Sequence, residues 1–401
     1  MRAMSVPARR CFIHVGSPKT GTSYLQSAFW ASKPSLAEQG LTLPLRPVDH
    51  FHLTLRLRGL LNEAMDPPRS FDVLERFATA LDRSDAERVL ISHELLAPVE
   101  ASQAGLLHDI LTDFQVHVLI TARDLARQVP AEWQQSVKHR AKHTYADFLS
   151  DVVERRAEHF WAVQDVADIA ARWRGSVPAE RVHVVTVPQR SAPPGTLLAR
   201  FCSVLEVDPE RLTTSTDVVN PSMGAQQAEL LRRVNVALGD RLPHPRAGYA
   251  RVAKNHLGDK VLATQPGIPL RLPTELHGWA REAAGEMVAR IASEGYDVVG
   301  DLDELVPGDP GDAQPGEDGS HVSEDAVSQA AVEAIAALLD QRHQDLEEIR
   351  ELRTAVRASQ RPPVAPPQPT SAEGQGALQK VRFAAQGLAQ RVFRRDEGTQ
   401  R

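Results

Sequence analysis

The stretch CFIHVGSPKTGTS, residues 11–23, decides how this chain is read. Cys11–Val15 is a short apolar run that stops at Gly16, the pattern of a strand buried on both faces. A helical pattern follows over Thr22–Ala31, so Gly16–Ser23 connects a strand to a helix. The two glycines, Gly16 and Gly21, allow the backbone N–H groups to converge, and the helix turns its positive end toward the loop. Thr20, Thr22 and Ser23 add hydroxyls, and Lys19 adds a point charge. Physically this is a phosphate cradle. It keeps the glycine spacing of the nucleotide-binding pattern G-x-x-x-x-G-K-[ST], but Thr22 stands where that pattern needs lysine, and the lysine has moved to position 19.

Working outward, three more segments read as strands: Arg88–Ser92, Val116–Thr121 and Arg181–Val187. Helical patterns separate them over Phe71–Leu81, Ala101–Thr112, Ala126–Lys138 and Phe160–Arg174. Strand and helix in alternation predict an α/β fold, a mainly parallel sheet flanked by helices. Such sheets bind ligands at the C-terminal ends of their strands, so the residues just after each strand carry the chemistry.

The arrangement Pro18-Lys19-Thr20-Gly21-Thr22-Ser23 after a strand resembles the 5′-phosphosulfate loop of sulfotransferases that use 3′-phosphoadenosine 5′-phosphosulfate (PAPS). In that family the loop lysine contacts the oxygen bridging phosphate and sulfate, and the hydroxyls after the second glycine bind the 5′-phosphate. The resemblance implies PAPS as donor, Lys19 as a catalytic residue, and Ser17, Lys19, Thr20, Gly21, Thr22 and Ser23 as donor ligands. It implies the P-loop sulfotransferase fold of the bacterial type and no metal requirement. It also implies a 3′-phosphate contact from Arg123, just after Val116–Thr121, whose planar fork suits phosphate oxygens. The family's second 3′-phosphate ligand, a serine eight residues on, is Ala131 here, with Gln128 or Ser136 as substitutes; Trp133 stands at the expected aromatic position. The late strand and the helix over Leu198–Leu205 also resemble the family. Arg251–Asp259 resembles the segment that closes over the donor, with Lys254 as a ligand and Asn255 at a glycine position.

An acceptor hydroxyl must lose a proton as it attacks sulfur. Ser92-His93-Glu94 resembles the stretch whose histidine is the base in cytosolic members, which implies His93; other branches use a glutamate, which keeps Glu94 open. His50 and His52 offer a further option. These two, at i and i+2, lack the accompanying carboxylate–histidine set of a metal site. The basic run Lys138–His143 reads as a solvated helix face.

Composition bounds the rest. A formal net charge of −6 argues against a nucleic-acid partner. Two cysteines, Cys11 and Cys202, exclude a disulfide framework and fit a reducing compartment. The basic start MRAMSVPARR is followed by no signal-like apolar stretch, and nowhere do about eighteen apolar residues run together, so a cytoplasmic protein is expected.

A catalytic domain is therefore expected over 1–305, then a Pro/Gly/Asp linker over 306–322. A coiled-coil-like helix is expected over 323–360, with Val332, Ile335, Leu339, Leu346, Ile349 and Val356 on a 3-4 spacing and Arg342 and Arg353 in the two remaining slots. This seam suggests a homo-oligomer through 323–359. A Pro-rich spacer (361–376) leads to a basic amphipathic helix and tail (377–401), whose Ala377–Arg395 segment suits a peripheral contact with anionic membrane. The acceptor, whether small molecule, glycan or lipid-linked, stays open. Two rival functions stand beside sulfuryl transfer. A P-loop small-molecule kinase would need a metal, with Asp124 to hold it, and a non-catalytic assembly protein with a degenerate donor site would bind no donor.

Overall fold

Six strands pair into one sheet among the described residues: β1 (Arg9–Gly16), β2 (Leu41–Thr42), β3 (Arg88–Ser92), β4 (Phe114–Ala122), β5 (Val182–Thr186) and β6 (Asp297–Val299). Their order is β2-β3-β1-β4-β5-β6, and every pairing is parallel. The computed structural model describes residues 9–214, 222–242, 245–309 and 318–359. The fold is α/β, a parallel sheet flanked by helices. The four strands expected from the sequence all form, and the chain adds β2 and β6, two and three residues long, too short to leave a periodic signal.

Alternation along the strands sorts side chains onto two faces. Cys11, Ile13, Val15, Val89, Ile91, Val118 and Ile120 enter one apolar core, while Phe12, Leu90 and Leu119 enter the other. His14 follows Phe12 onto the second face, fully buried and edge-on to Phe201 with ring centroids 4.7 Å apart. A buried polar side chain in an apolar layer must find partners, and those of His14 lie at the C-terminal ends of the neighbouring strands. The register sets His14 directly opposite Ser92 of β3. β1 is also the central strand on whose two sides β3 and β4 pair, so the crevice expected to bind ligands opens at its end.

The helix Thr22–Ala31 forms as expected, and Leu125–Lys138 and Val73–Asp82 lie within two residues of expectation. Ala101–His108 stops short of Thr112. The single helix expected over Phe160–Arg174 is two, Glu158–Gln164 and Val166–Arg174. Asp165 makes the break by accepting a hydrogen bond from Asp168 N at 3.1 Å, an N-cap in what looked like a continuous pattern.

The first compact unit runs through Leu339 and includes the start of the long helix Glu324–Ser359. There Val327, Ala330 and Ala334 are buried, whereas Val332, Ile335 and Leu339 are exposed. The second unit, from Asp340, is described through Ser359, where the helix exposes Leu346, Ile349 and Val356. The expected spacer Arg361–Pro369 and amphipathic helix Ala377–Arg395 lie outside the described residues. Among the described residues no helix is long and apolar enough to cross a membrane.

Candidate active site

The loop after β1 runs from Gly16 into the helix Thr22–Ala31 through two glycines of positive φ. Gly16 has φ of 117°, and a Cβ there would lie 3.1 Å from the carbonyl oxygen of Glu94, so glycine lets this loop run against the one after β3. Gly21, at φ 88°, stands before the helix Thr22–Ala31; no side chain caps that helix, and its first turn carries no acid. Its free N–H groups therefore face the loop with nothing to cancel their positive end.

Four neighbouring residues brace the loop: Thr121, Gln128, Gln164 and Arg123. Ser17 N donates to Thr121 O at 2.9 Å, and Thr20 Oγ1 donates to Ser17 O at 2.5 Å. Gln128 Nε2, from the helix Leu125–Lys138, donates to Pro18 O at 2.9 Å, and Gln164 Nε2, from the helix Glu158–Gln164, donates to the same carbonyl at 3.2 Å. From the end of β4, Arg123 Nη1 donates to Lys19 O at 3.0 Å. The Lys19 ammonium donates to Gln135 Oε1 at 2.7 Å. Burial pulls the Lys19 pKa below the usual lysine range, opposed chiefly by Glu132.

Several groups around this loop lack partners although buried: Ser17 Oγ, Arg123 Nε and Arg127 Nη2. Burial, with Arg127 close by, lowers Arg123 to about 10, and Asp124 only partly offsets this. Buried hydroxyl and guanidinium atoms left over in this way have donor capacity that an anion could use. The two substitutes considered for Ala131 are engaged elsewhere. Gln128 spends its amide N–H groups on Pro18 O and Gln164 Oε1, and Ser136 Oγ donates to Trp133 O within its own helix. Arg127 was not singled out from the sequence, where it reads as one more surface charge on a helix.

Of the other loop hydroxyls, Thr22 is buried and Ser23 exposed. Lys254 comes from Pro245–Leu262, a helical segment wound wider than an α-helix. Its Nζ lies 2.9 Å from His139 Nε2, and His139 Nε2 lies 3.2 Å from Gln135 Nε2. A chain Lys19–Gln135–His139–Lys254 thus connects the two lysines. Lys138, expected on a solvated face, is instead largely covered and donates to Asp259 of the same segment at 2.6 Å. Contacts from a distant segment were invisible in the local pattern.

The base candidates separate clearly. His50 is buried with both ring nitrogens in use: Nε2 faces Pro44 O at 2.8 Å, and Nδ1 accepts from Ser92 N at 3.1 Å. Its role is to hold the end of β3. His52 is buried on the same helix, Pro47–Leu57, and the charges acting on it are Asp49, Arg69, Asp66 and Arg76, none of them from the loop. His93 and Glu94 follow β3, close against the cradle. His93 Nδ1 accepts from Leu95 N at 3.2 Å, capping a short 3-10 turn, and burial lowers the ring's pKa. A neutral ring with its Nδ1 lone pair so occupied carries its proton on Nε2 and can only donate there. Glu94 is 29% exposed and accepts from Gln26 Nε2 at 3.2 Å. Burial pushes its carboxyl up, but His93, a backbone N–H and Gln26 together outweigh that and hold it below the usual range. A second carboxyl, Glu132, has no place in the site as read from the sequence. It is buried, accepts from Gln164 Nε2 at 3.1 Å, and is raised by burial against the pull of Lys19.

Among the described residues no three His, Cys, Asp or Glu side chains group as a metal ion would need. No family model matches the chain, and no curated protein matches it. Among solved structures, it is similar to the crystal structure of a sulfotransferase from Alicyclobacillus acidocaldarius, at 18% identity and a TM-score of 0.35, over 62% of this chain and 96% of that one.

Proposed function

We propose that this chain is a sulfotransferase that moves the sulfuryl group of PAPS to an acceptor hydroxyl. The observation that carries this reading is a loop before an uncapped helix N-terminus that holds Lys19 and the unpartnered Ser17 Oγ and is met by Arg123, whose Nε is also unpartnered, with Arg127 beside it. Ser17, Thr22 and Ser23, with the backbone N–H groups of Thr20 and Gly21, would hold the 5′-phosphate and Arg123 the 3′-phosphate, while Lys254 would approach from the covering segment; the Thr20 hydroxyl itself is spent on Ser17 O. Glu94, kept ionised, takes the acceptor proton as the acceptor oxygen bonds to sulfur. The bond from sulfur to the bridging oxygen breaks, its electron pair stays on the leaving phosphate, and Lys19 stabilises that charge. His93 Nε2–H serves as a donor toward the acceptor rather than as base. What weighs against the kinase reading is that Asp124, the carboxylate it would use for a metal, accepts from Arg127 N at 3.0 Å and also from the Arg127 side chain.

Adenosine 3′,5′-bisphosphate at a hundred times its Kd should stabilise the protein by about 2.7 kcal/mol, read as a rise in Tm, and adenosine 5′-monophosphate should do far less. In a transfer assay Glu94→Gln should abolish turnover while His93→Ala retains a measurable rate. No stabilisation by the bisphosphate, or magnesium-dependent phosphate transfer from ATP, defeats this reading.

A further inference from the structure

The helix Thr22–Ala31 does more than point its N-terminus at the loop. Gln26 lies one turn beyond Thr22 on that helix, and its single amide nitrogen reaches two acceptors: Glu94 Oε2 at 3.2 Å and Ser92 Oγ at 3.4 Å. We infer that Gln26 is a positioning residue, tying the Glu94 carboxylate to the same helix that holds the donor. The inference rests on the assignment of Glu94 as base.

The argument turns on which way each hydrogen points. The direction is fixed from the far end: Thr20 spends its proton on Ser17 O, so Thr121 donates to Thr20 and His14 Nε2 to Thr121. That leaves His14 Nδ1 to accept from Ser92, 2.8 Å away, and Ser92 Oγ to accept from Gln26. His14 must then be neutral with its proton on Nε2, which donates to Thr121 Oγ1 at 3.3 Å. Thr121 donates to Thr20 Oγ1 at 2.5 Å, and Thr20 donates to Ser17 O at 2.5 Å. Every proton in the chain is assigned without conflict, and the chain joins β3, β1 and β4 to the phosphate loop. Burial holds His14 at about 4, in the neutral form that this direction needs. The direction fixes the amide of Gln26 with its N–H₂ toward Glu94, so Glu94 meets a donor, and a donor favours the carboxylate over the acid.

Other titratable groups face Glu94 from every side: the neutral rings of His93 on its own turn and His14 on β1, the charged Lys19 in the loop and Lys254 in the covering segment, and Glu132 on the helix Leu125–Lys138. The two lysines favour ionisation whatever stands at position 26, while Glu132 opposes it. Loss of Gln26 should therefore shift the titration of Glu94 without abolishing its charge at neutral pH.

The test uses full-length Gln26→Met, which keeps the side-chain length but has no donor, and Gln26→Glu, which sets a second carboxylate against the first. The Glu94 carboxyl is followed by NMR titration, with Glu94→Gln identifying its resonance, and kcat is followed against pH. Gln26→Met should raise the Glu94 pKa by about one unit, the size of one lost hydrogen bond to a charged group. Gln26→Glu should raise it further. The acid limb of kcat should move up with it, because a base of higher pKa is protonated sooner as pH falls. Affinity for adenosine 3′,5′-bisphosphate should stay within about threefold, which separates lost positioning from a damaged fold. A Glu94 carboxyl that titrates unchanged in both variants overturns the inference. A carboxyl that moves while the kcat limb stays put overturns the assignment of Glu94 as base.

Discussion

The C-terminal edge of the sheet and the long helix Glu324–Ser359 invert each other's chemistry. At the sheet edge, polar side chains lie inside an apolar layer, and His14, Ser92, Thr121 and Thr20 satisfy one another. On the helix, apolar side chains from Val332 to Val356 stand in solvent, between 37% and 64% exposed. The first arrangement is costly unless every partner is present, so it fixes one geometry. The second is tolerated but not satisfied by the chain alone. A polar group buried with partners points to a working site, and an apolar stripe left outside points to a second surface.

The largest expected effect is at the sheet edge. Lys19→Ala removes the one cation inside the loop, where charge builds on the leaving oxygen. Turnover at saturating donor should fall about 10²–10³-fold, the usual loss for one transition-state donor. Affinity for adenosine 3′,5′-bisphosphate should fall much less, since the loop amides, the hydroxyls and Arg123 remain. Isothermal titration beside single-turnover kinetics separates the two. Full turnover in the variant would show that Lys19 merely braces Gln135.

Residues 11–23 made the loop legible because strand, glycines, lysine and hydroxyls all lie within one short window. Arg123 was legible by its place just after an apolar strand. His93 and Glu94 were found as a pair, but their division of labour was not, because it depends on a backbone N–H at Leu95 that claims the imidazole lone pair. Gln26, Arg127 and Glu132 were missed for a common reason. Each is a polar residue on an amphipathic helix, and periodicity alone assigns such residues to solvent. Only packing shows that the helix turns this polar stripe onto the loop. The break at Asp165 was hidden similarly, since the apolar pattern runs through it.

A smaller effect should appear in stability against pH. His14 and His50, both buried, are held at about 4 by burial. The unfolded chain, with histidine near its ordinary 6.5, binds these protons first, so their contribution is full above about pH 6.5 and is lost as pH falls toward 4. One such histidine should cost about 2 kcal/mol between pH 7 and pH 5. Urea unfolding at the two pH values should show wild type weakened at pH 5. His14→Gln, which cannot charge, should shrink the difference by about that amount, though its absolute stability is expected to drop. An unchanged pH difference would mean that His14 is protonated in the native state, and the direction of the hydrogen-bond chain would be wrong.

The smallest effect on turnover belongs to the long helix, where the expectation concerns assembly. We propose that its exposed seam pairs with the seam of a second copy running antiparallel. Arg342 and Arg353 decide the direction. In a parallel, in-register pair each would face its own image across the seam, setting like charges together in two of eight layers. An antiparallel pair centred near Gln344 sets Arg342 against Leu346 and Arg353 against Ile335 of the second copy, and brings Leu339 against Ile349. Each arginine can then lay its apolar stem along a neighbour and turn its charge to water. Light scattering should give twice the chain mass of 44.0 kDa for wild type. Leu346→Asp, which puts a charge into an apolar layer, should give the single mass, with turnover per chain changed less than about twofold because the site lies elsewhere. Direction is read by cysteine cross-linking, since Cys11 and Cys202 are buried and leave the background clean. Leu339→Cys combined with Ile349→Cys should oxidise to a linked dimer, and Leu339→Cys alone should not. Efficient linking through Leu339→Cys alone would make the pair parallel, and a single mass for wild type would leave the seam without this partner.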